Sequence, residues 1–386
     1  MQVLMFVSNP FISDPRVYAE AKSLIQAGYE VTVIAWDRER QNPPRQNWDG
    51  IQVVRLTTRL LPKRYRFGSP LWVGFNLILW QRQAYRLALV LNKEKHFDVI
   101  HCHDFDTLAI GTRLKTKLSL PLVYDAHEIY GYTMTRTFRH RIANIFLWLE
   151  KRLIRRVDKI INVCEPQRRY FESITDKPIS VIMNCKPLQS LEYQPSDNQG
   201  DFTLLYIGSL HEGRAIPMLV QAAKELPGVR CLIGGIGQPG YVEALKEECS
   251  RTSNVTFLGK VPFDEVIPMT MKADCIFLMV NPEDLNNRMG LGNKQFEAMV
   301  CGRPIICTKG THSGEVTEQE EAGLVVEYSE QALKEAIIKL RDDSKLRERL
   351  GRNALKAAIT KYNWQKQEEK LVALYKSLQN EGQLSG

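Results

Sequence analysis

Short apolar runs alternate with segments of helical spacing through the first half of the chain. Strands are predicted for the apolar runs 2–7, 31–35, 53–56, 98–102, 122–125, 159–163 and 179–183. Between the first two runs, Val17, Ala21 and Leu24 recur at helical spacing, and Gly28 ends the predicted helix. A strand–helix–strand order predicts a right-handed crossover, so this half should form a doubly wound sheet.

The same alternation restarts after residues 188–200, a polar and turn-rich stretch that predicts a linker. Strands are predicted at 203–207, 230–233, 255–258, 275–280, 305–307 and 324–326, with helices at 216–225, 241–250, 264–271, 329–340 and 344–361. The pattern predicts an α/β protein with two facing Rossmann-like domains, 1–190 and 200–362. We expect a last helix, 363–380, to pack back on the first domain, and ligands to bind between the two.

The most informative stretch lies between the apolar runs 275–280 and 305–307. Asn293 is a good N-cap, so a helix is predicted over 294–301. Gly302 is the glycine that commonly follows the last residue of a helix, and Pro304 prevents the helix from continuing. The stretch is therefore predicted to be a strand, a loop, a short helix and a strand.

Two glycines, Gly290 and Gly292, place a bare backbone at the start of that helix. Unpaired N–H groups and the helix dipole at such a position suit a phosphate. Glu297 lies one turn further on, where a carboxylate can accept hydrogen bonds from two neighbouring hydroxyls, such as those of a ribose. The alternative is an ordinary strand-to-helix turn in which Glu297 is solvated.

Composition narrows the class of protein. A chain of 386 residues with 44% apolar content is long enough for two full cores. Its eight cysteines lie mostly in apolar runs without CxxC spacing, which indicates reduced, buried thiols of a cytosolic protein rather than structural zinc. The first apolar run lacks a preceding basic region and is predicted to be a strand rather than a signal peptide. No run reaches the ~18–20 apolar residues that span a bilayer.

The formal charge is divided unequally between the halves. Residues 1–195 contain 29 Lys and Arg against 18 Asp and Glu, and residues 196–386 contain 23 against 26. The first half should therefore attract anions, and the second should not.

Two segments of the first half could contact an anionic membrane. Basic residues and large apolar residues, including Trp72, are mixed between Leu60 and Trp80. The alternative there is a helix that covers the sheet with its tryptophans in the core. A later helix has the apolar face Ile142, Ile145, Leu149 and Leu153 and the basic residues Arg139, Arg141, Lys151, Arg152, Arg155 and Arg156. Such charges usually form a solvated face, but an anionic acceptor or a lipid headgroup also fits them.

Polar residues follow two neighbouring predicted strands. The pair Asp104 and Asp106, which follows His103, could hold a divalent ion on a diphosphate, although Asp106 fits better as the start of a helix. His127 and Glu128 stand where ligands bind in open α/β sheets. His127 could hydrogen-bond a sugar hydroxyl or polarise a leaving group, or it could be a structural histidine at a loop corner.

Together these marks resemble family 4 of the retaining glycosyltransferases with the GT-B fold, nearly from end to end. The segment 292–306, Gly-Asn-Lys-Gln-Phe-Glu-Ala-Met-Val-Cys-Gly-Arg-Pro-Ile-Ile, is similar to the donor-site signature of that family. Supporting marks are Asp14-Pro-Arg-Val17, Gly28-Tyr-Glu-Val31, Asp125-Ala-His-Glu128, Tyr206-Ile-Gly-Ser-Leu210 followed by Arg214, and Phe257-Leu-Gly259.

The resemblance implies a role for each matching position. Glu297 would bind the ribose of a nucleotide sugar, Arg214 would neutralise the leaving diphosphate, and His127 would touch the donor sugar near the reacting carbon. The implied donor-site residues are Gly208, Arg214, Gly259, Lys260, Val261, Gly290, Leu291, Gly292, Asn293, Lys294 and Glu297. Those implied on the acceptor side are Asn9, Asp14, Arg16 and His103.

Two positions depart from the family pattern. The first glutamate of the usual Glu-x7-Glu pair falls at Met289, whose thioether cannot accept a sugar hydroxyl as a carboxylate does. The arginine often found after the first glycine of the second domain is Ser209 here. Arg214 is therefore the clearer cation for the diphosphate.

The sequence thus predicts a retaining, metal-independent glycosyltransferase without a cofactor. A nucleoside-diphosphate sugar, with UDP favoured over GDP, would be the donor, and a glycan or lipid-linked molecule the acceptor, in polysaccharide or glycoconjugate synthesis. The expected location is the cytoplasm, with peripheral contact at the inner face of the membrane, and no nucleic-acid partner. Two alternatives stay open: a nucleotide-sugar epimerase of the same architecture, and a non-catalytic nucleotide-sugar-binding protein.

Overall fold

The computed structural model describes residues 1–12, 14–58, 70–135, 140–196 and 200–384, with the backbone alone for 70–72, 135, 140–143 and 382–384. Two compact units make up the chain. The first comprises Met1–Ile182 and Glu368–Gly386, and the second comprises Met183–Gln367. The segment 60–69 and Arg139, for which contact with an anionic membrane was one of two interpretations, lie outside the described residues, as do the side chains of Trp72 and Arg141.

The first unit alternates strands and helices as the apolar pattern predicts. Its strands are β1 (Gln2–Val7), β2 (Glu30–Trp36), β3 (Arg45–Trp48), β4 (Ile51–Leu56), β5 (Val99–His103), β6 (Leu122–Ala126), β7 (Lys159–Asn162) and β8 (Ile179–Val181). Its helices are α1 (Pro15–Gln26), α2 (Pro70–Lys95), α3 (Phe105–Leu118), α4 (Tyr130–Thr135), α5 (His140–Ile154) and α6 (Glu165–Glu172). The strands form one sheet in the order β3-β4-β2-β1-β5-β6-β7-β8. All described pairings are parallel except that of β3 with β4, so the strand ends that carry polar residues meet at one edge.

Helix α2 covers this sheet with a tryptophan in the core. Trp80 is fully buried, and its ring stacks on that of Trp36 with 5.8 Å between centroids. The indole N–H of Trp36 donates to the hydroxyl of Thr58 at 3.1 Å. Trp80 therefore packs in the interior, as the alternative interpretation of a helix covering the sheet predicted, and is not part of a membrane surface.

The second unit repeats the arrangement with six strands. These are β9 (Phe202–Leu210), β10 (Val229–Gly237), β11 (Val255–Gly259), β12 (Cys275–Leu278), β13 (Ile305–Thr308) and β14 (Gly323–Val326). The helices are α7 (Ile216–Glu225), α8 (Pro239–Ser250), α9 (Phe263–Lys272), α10 (Leu285–Met289), α11 (Asn293–Val300), α12 (His312–Gln319), α13 (Glu330–Asp342) and α14 (Ser344–Thr360), with a 3-10 turn at Glu212–Arg214. The sheet order is β11-β10-β9-β12-β13-β14, and its apolar side chains form the core.

Some local structure differs from the sequence-based prediction. A continuous loop was predicted before residue 293, but α10 begins there at Leu285, with the Asp284 carboxylate accepting from the N–H of Asn287 at 3.0 Å. The N-cap of α11 is Gly292 rather than Asn293, whereas Gly302 has the positive φ expected after a helix. Gly292 has φ −73°, which any residue can adopt, so its backbone does not require glycine.

The first unit ends earlier than the linker that the sequence indicated. Its boundary falls after Ile182, whereas the linker was placed at 188–200. Residues beyond the boundary are fixed on the second unit: the carbonyl of Lys186 accepts from the N–H of Trp364 at 3.0 Å. The last helix, α15 (Trp364–Leu384), contributes its residues from Glu368 onward to the first unit. In the described part of the chain, no helix combines the length and apolarity that crossing a membrane requires.

Candidate active site

Asp125, at the carboxyl end of β6, collects hydrogen bonds from three side chains of the first unit. Arg16 donates to both of its oxygens, from Nε at 3.0 Å and from Nη2 at 2.7 Å. The rings of His103 and His127 lie 3.0 and 2.9 Å from its Oδ2 atom. Although burial opposes ionisation, the charges of Arg16 and His127 hold the pKa of Asp125 well below its usual range.

His127 lies between two carboxylates. Its Nε2 atom faces Asp125, and its Nδ1 atom lies 3.2 Å from Oδ2 of Asp104. Burial alone would lower the pKa of His127, but these two carboxylates raise it well above its usual value. Both ring nitrogens are engaged by carboxylates, which favours the imidazolium form. It can act on a nearby anion through its charge, but it has no nitrogen left to accept a proton.

Arg16 and His103 belong to the interior of this cluster. They are 7% and 1% exposed, and both support Asp125, which differs from the expectation that they line the acceptor side. Asn9 and Asp14 stabilise the loop before α1. The Asn9 amide donates to Asp14 at 2.8 Å, and Asp14 caps α1 by accepting from the N–H of Val17.

Four potential metal ligands of this unit converge below the same strand ends: Glu20, His101, His103 and Asp125. The guanidinium of Arg16 already bridges the two carboxylates, with Nη2 3.0 Å from Glu20 and 2.7 Å from Asp125. These carboxylates therefore receive their balancing charge from the protein itself.

The Asp104–Asp106 pair does not offer two available carboxylates. Asp104 is engaged by His127, and Asp106 accepts from the hydroxyl of Ser8 at 3.0 Å. Asp106 follows the N-cap of α3, so the alternative helix-start interpretation is the one that the structure shows.

Helix α11 of the second unit buries polar side chains together with apolar ones. Residues 294–300 are all buried, because the helix lies between β12, α9 and α14. Gln295 uses its amide inside the protein, donating to the carbonyl of Ser313 and to the hydroxyl of Thr317, both at 3.2 Å. Lys294 and Glu297 make no comparable hydrogen bonds in the described part of the chain. Since buried charges normally have hydrogen-bond partners, these two indicate a ligand site.

The ammonium of Lys294 lies against the end of β9. It stands 4.6 Å from the ring centre of Tyr206, and a Cβ added to Gly208 would lie 2.5 Å from its Nζ atom. Burial, followed by the charge of Arg214, lowers the pKa of Lys294 to about 7, although Glu297 opposes the shift. A dianionic group at this place would restore the full charge of Lys294.

Glu297 forms an ion pair with Lys186. Their Oε1 and Nζ atoms are 3.5 Å apart, and both residues are 7% exposed. Lys186 also lies near Phe263, with Nζ 5.3 Å from the ring centre. The carboxylate therefore retains unused capacity to accept hydrogen bonds.

Arg214 ends the 3-10 turn that follows β9. Its Nε–H donates to Nε2 of His211 at 3.0 Å, which orients the guanidinium. Its two terminal nitrogens make no hydrogen bond to the residues that the structure describes, so they can receive an anion.

Glycines allow the neighbouring strand ends to approach closely. Gly235 has φ +142°, and a Cβ there would lie 1.7 Å from the carbonyl oxygen of Gly208. Gly259 ends β11 with φ +68° and is followed by Lys260 and Val261, whose main chain was expected to hold the base. The sequence and the fold thus place Gly208 and Gly259 at the carboxyl edge of one sheet, where ligands of such sheets bind.

The remaining donor-site candidates surround the start of α11. Gly290 and Met289 close α10, and Leu291 is buried, so it can meet a ligand only through its main chain. Asn293 is exposed at the first turn of α11. The backbone of these residues therefore stands where the sequence placed a phosphate.

Sequence reasoning missed two contributors. Lys186 lies in a segment without a strand or helix, and no spacing connects it to Glu297. Asp125 was noted only as part of a family motif, although it is the center of the hydrogen bonds around His127. Its position two residues before His127, at a strand end, is the signal that could have revealed it.

Comparisons with known proteins agree with this architecture. The model described as Glycosyltransferase Family 4 matches residues 16–188, and the one described as Glycosyl transferases group 1 matches residues 201–343. An uncharacterised glycosyltransferase of Methanocaldococcus jannaschii is 27% identical over 295 residues, which is 76% of this chain and 79% of that protein.

Two solved structures are similar over nearly the whole chain. Sucrose-phosphate synthase of Thermosynechococcus elongatus has a TM-score of 0.79 at 18% identity and covers 98% of this chain and 99% of its own. HepE of Anabaena, in complex with UDP and glucose, has a TM-score of 0.73 at 17% identity and covers 98% and 100%. The two family models together take in most of the chain, and the similar structures share its GT-B fold. The chain belongs to the family 4 glycosyltransferases with the GT-B fold.

Proposed function

We propose that this glycosyltransferase moves a sugar from a UDP-sugar, with retention of configuration, to a glycan or lipid-linked acceptor. The proposal rests on residues 293–297 at the start of α11, called here the mouth of α11, which include Lys294 and Glu297. Both side chains are nearly buried, and neither has a hydrogen-bond partner in the described structure. A carboxylate, an ammonium and free helix N–H groups match a ribose beside a diphosphate. The similarity to HepE, which was solved with UDP and glucose, supports a uridine nucleotide.

Each part of the donor would have its own partners. The diphosphate would meet the N-terminus of α11 with Lys294 and Arg214, and the ribose would meet Glu297. The base would pair with main-chain groups at residues 259–261. As the glycosidic bond breaks, negative charge grows on the diphosphate, and Arg214 would stabilise it without a metal or another cofactor.

Retention would follow from attack on the same face as departure. The diphosphate oxygen would help to deprotonate the acceptor, because the carboxylates beside His127 are committed to Arg16 and to His127 itself. His127 would contribute a fixed positive charge near the donor sugar rather than a proton transfer.

The test uses the intact chain with a set of nucleotide sugars. A thermal-shift screen identifies the donor, since a ligand at about 100 times its dissociation constant adds about 2.7 kcal/mol to stability. Product analysis by NMR, with and without sugar acceptors, then decides the activity. Acceptor-dependent release of UDP with an α-configured product supports the proposal. Conversion of the donor without an acceptor would indicate the epimerase, and binding without turnover would indicate the non-catalytic protein.

Helix α5 gives a specific reason to expect a membrane-bound acceptor. Ile145 and Trp148 are 56% and 57% exposed on its outer face. The guanidinium of Arg152 lies 5.5 Å from the Trp148 ring, and Lys151 and Arg155 are also exposed. Exposed apolar side chains beside basic ones suit the interface of an anionic bilayer.

Flotation with vesicles that contain anionic lipid tests this contact. Trp148→Ser should reduce the bound fraction, whereas Leu191→Ser, which removes another exposed apolar side chain, should not change it. Absence of binding to either kind of vesicle would contradict a peripheral membrane role, and equal binding of the wild type to neutral and anionic vesicles would contradict the recognition of anionic lipid.

A further inference from the structure

Lys186 has a well-defined position although it lies in no strand or helix. It belongs to the segment Asn184–Pro187, directly after the first unit. Its carbonyl accepts the N–H of Trp364 at 3.0 Å, and the residue forms an isolated parallel bridge with Asn363. The backbone of Lys186 is therefore held, so that only its side chain needs to order when a ligand binds.

That side chain points along Glu297 rather than into solvent. Lys186 is 7% exposed, and its Nζ atom is 3.5 Å from Oε1 of Glu297. The separation lies beyond the usual range of a charge-assisted hydrogen bond. Neither group has a hydrogen bond within the described parts of the chain, which leaves three N–H donors facing an unsatisfied carboxylate.

A hydroxyl group is the complement of such a pair. It can donate its proton to a carboxylate and accept from an ammonium at the same time. A phosphate would be repelled by Glu297, and an apolar group would leave both charges unpaired. The chemistry between Lys186 and Glu297 therefore favours a sugar hydroxyl.

The neighbours of Lys186 identify which part of the donor lies there. Phe263, 5.3 Å from Nζ, follows Val261 closely in the chain, at the strand end expected to hold the base. The phosphate end is marked instead by Lys294 beside Gly208. Lys186 thus lies near the end expected to hold the base and beside Glu297, the residue expected to bind the ribose.

We propose that Lys186 is a second ribose-binding residue, whose ammonium donates to the same ribose hydroxyl that donates to Glu297. This inference rests on the proposed function, because it assumes a nucleotide at the mouth of α11. It adds a specificity: the site selects a ribonucleotide and discriminates against the deoxynucleotide that lacks the bridging hydroxyl.

Isothermal titration calorimetry of the intact chain with UDP, 2′-deoxy-UDP and 3′-deoxy-UDP tests the proposal. Lys186→Met should weaken UDP binding by about 10- to 100-fold, the range of one charge-assisted hydrogen bond. For the deoxynucleotide that lacks the bridging hydroxyl, the wild type and this variant should have the same affinity within about twofold, because the contact is already absent. Lys309→Met, which removes an exposed ammonium paired with Glu327, is the matched control and should bind all three nucleotides like the wild type.

Equal weakening of all three nucleotides would overturn the inference, since it would show that Lys186 acts on the shape of the site rather than on the ribose. Unchanged or tighter binding of UDP would overturn it as well. If Lys186→Met does not fold, Lys186→Gln, which keeps an N–H donor, enters the same comparison. A wild type that binds none of the nucleotides would instead refute the proposed function, so the two failures are distinguishable.

Discussion

The surroundings of Asp125 and the mouth of α11 both keep charged side chains away from water, but they differ in how those charges are satisfied. Asp125 receives hydrogen bonds from Arg16, His103 and His127. In the residues that the structure describes, neither Glu297 nor Lys294 has a side-chain hydrogen bond: Glu297 lies 3.5 Å from Lys186, and Lys294 lies against the ring of Tyr206. A buried carboxylate whose oxygens are all hydrogen-bonded within the protein is part of the scaffold. A buried carboxylate without such hydrogen bonds can accept them from a ligand.

This difference predicts opposite consequences for stability and for binding. The charges around Asp125 stabilise one another, so removing one deprives its partners of an ion pair inside the protein. The charges at α11 gain little from the folded protein alone, and a substitution there should reduce ligand binding rather than folding.

The largest effect is expected from Asp125→Asn. It deprives the buried Arg16 and the partly buried His127 of their shared carboxylate, with Glu20 and Asp104 as their remaining acidic partners, and should lower the free energy of unfolding by about 3–5 kcal/mol. Urea denaturation of the wild type and the variant measures this loss. A loss below about 1 kcal/mol would remove the distinction between the two regions.

Arg214→Ala should affect turnover next most strongly. The guanidinium makes one hydrogen bond, to His211, so stability should change little. Loss of a donor that meets the leaving diphosphate should cost at least about 2 kcal/mol of transition-state stabilisation. The ratio kcat/KM measures the loss, and a normal turnover would exclude this role for Arg214.

Glu297→Gln should weaken the binding of UDP by about 10- to 100-fold, because a neutral amide accepts more weakly from the ribose hydroxyls than a carboxylate does. Stability should stay within about 1 kcal/mol of the wild type. Calorimetric binding and a urea denaturation on the same samples give both numbers. A variant that lost stability but kept its affinity for UDP would show that Glu297 supports the fold, as Asp125 does, and does not bind the ligand.

The last prediction concerns the protonation of Lys294. Burial lowers the pKa of Lys294 to about 7, below its unfolded value, so the unfolded chain binds the extra proton between pH 7 and 10.5. The free energy of unfolding should therefore gain a contribution as pH rises through that window, and Lys294→Met should remove it. Binding of a diphosphate at pH 8 should take up protons, by up to about one per site, which titration in buffers of different ionisation enthalpy detects.

The sequence predicted the strands of the two sheets better than it predicted the partners of the charged side chains. The spacing and the length of the apolar runs were enough to locate the main strands of both units, because a buried parallel strand is an uninterrupted apolar run. They were not enough for α10, whose five residues contain few apolar positions. The position of the N-cap of α11 was wrong by one residue, since both Gly292 and Asn293 favour a helix start and only the backbone decides between them.

The candidate site shows the same limit. The family motif indicated Glu297 and Lys294, but the pairing of Glu297 with Lys186 joins distant parts of the chain and has no local signal. Arg16 was expected to face an acceptor, and its contact with Asp125 arises only when α1 packs beside β6. Charge partners of this kind depend on the topology of the sheet, which spacing alone does not give.

The route of the chain has a practical consequence for dissection of the enzyme. The second unit is one uninterrupted segment whose ends meet, since the N–H of Met183 donates to the side chain of Gln367 at 3.1 Å. That segment should be producible as an isolated fragment for nucleotide titrations. Truncation after Gln367 should instead unfold the first unit, because it removes the buried Tyr375, whose hydroxyl lies 2.7 Å from His101.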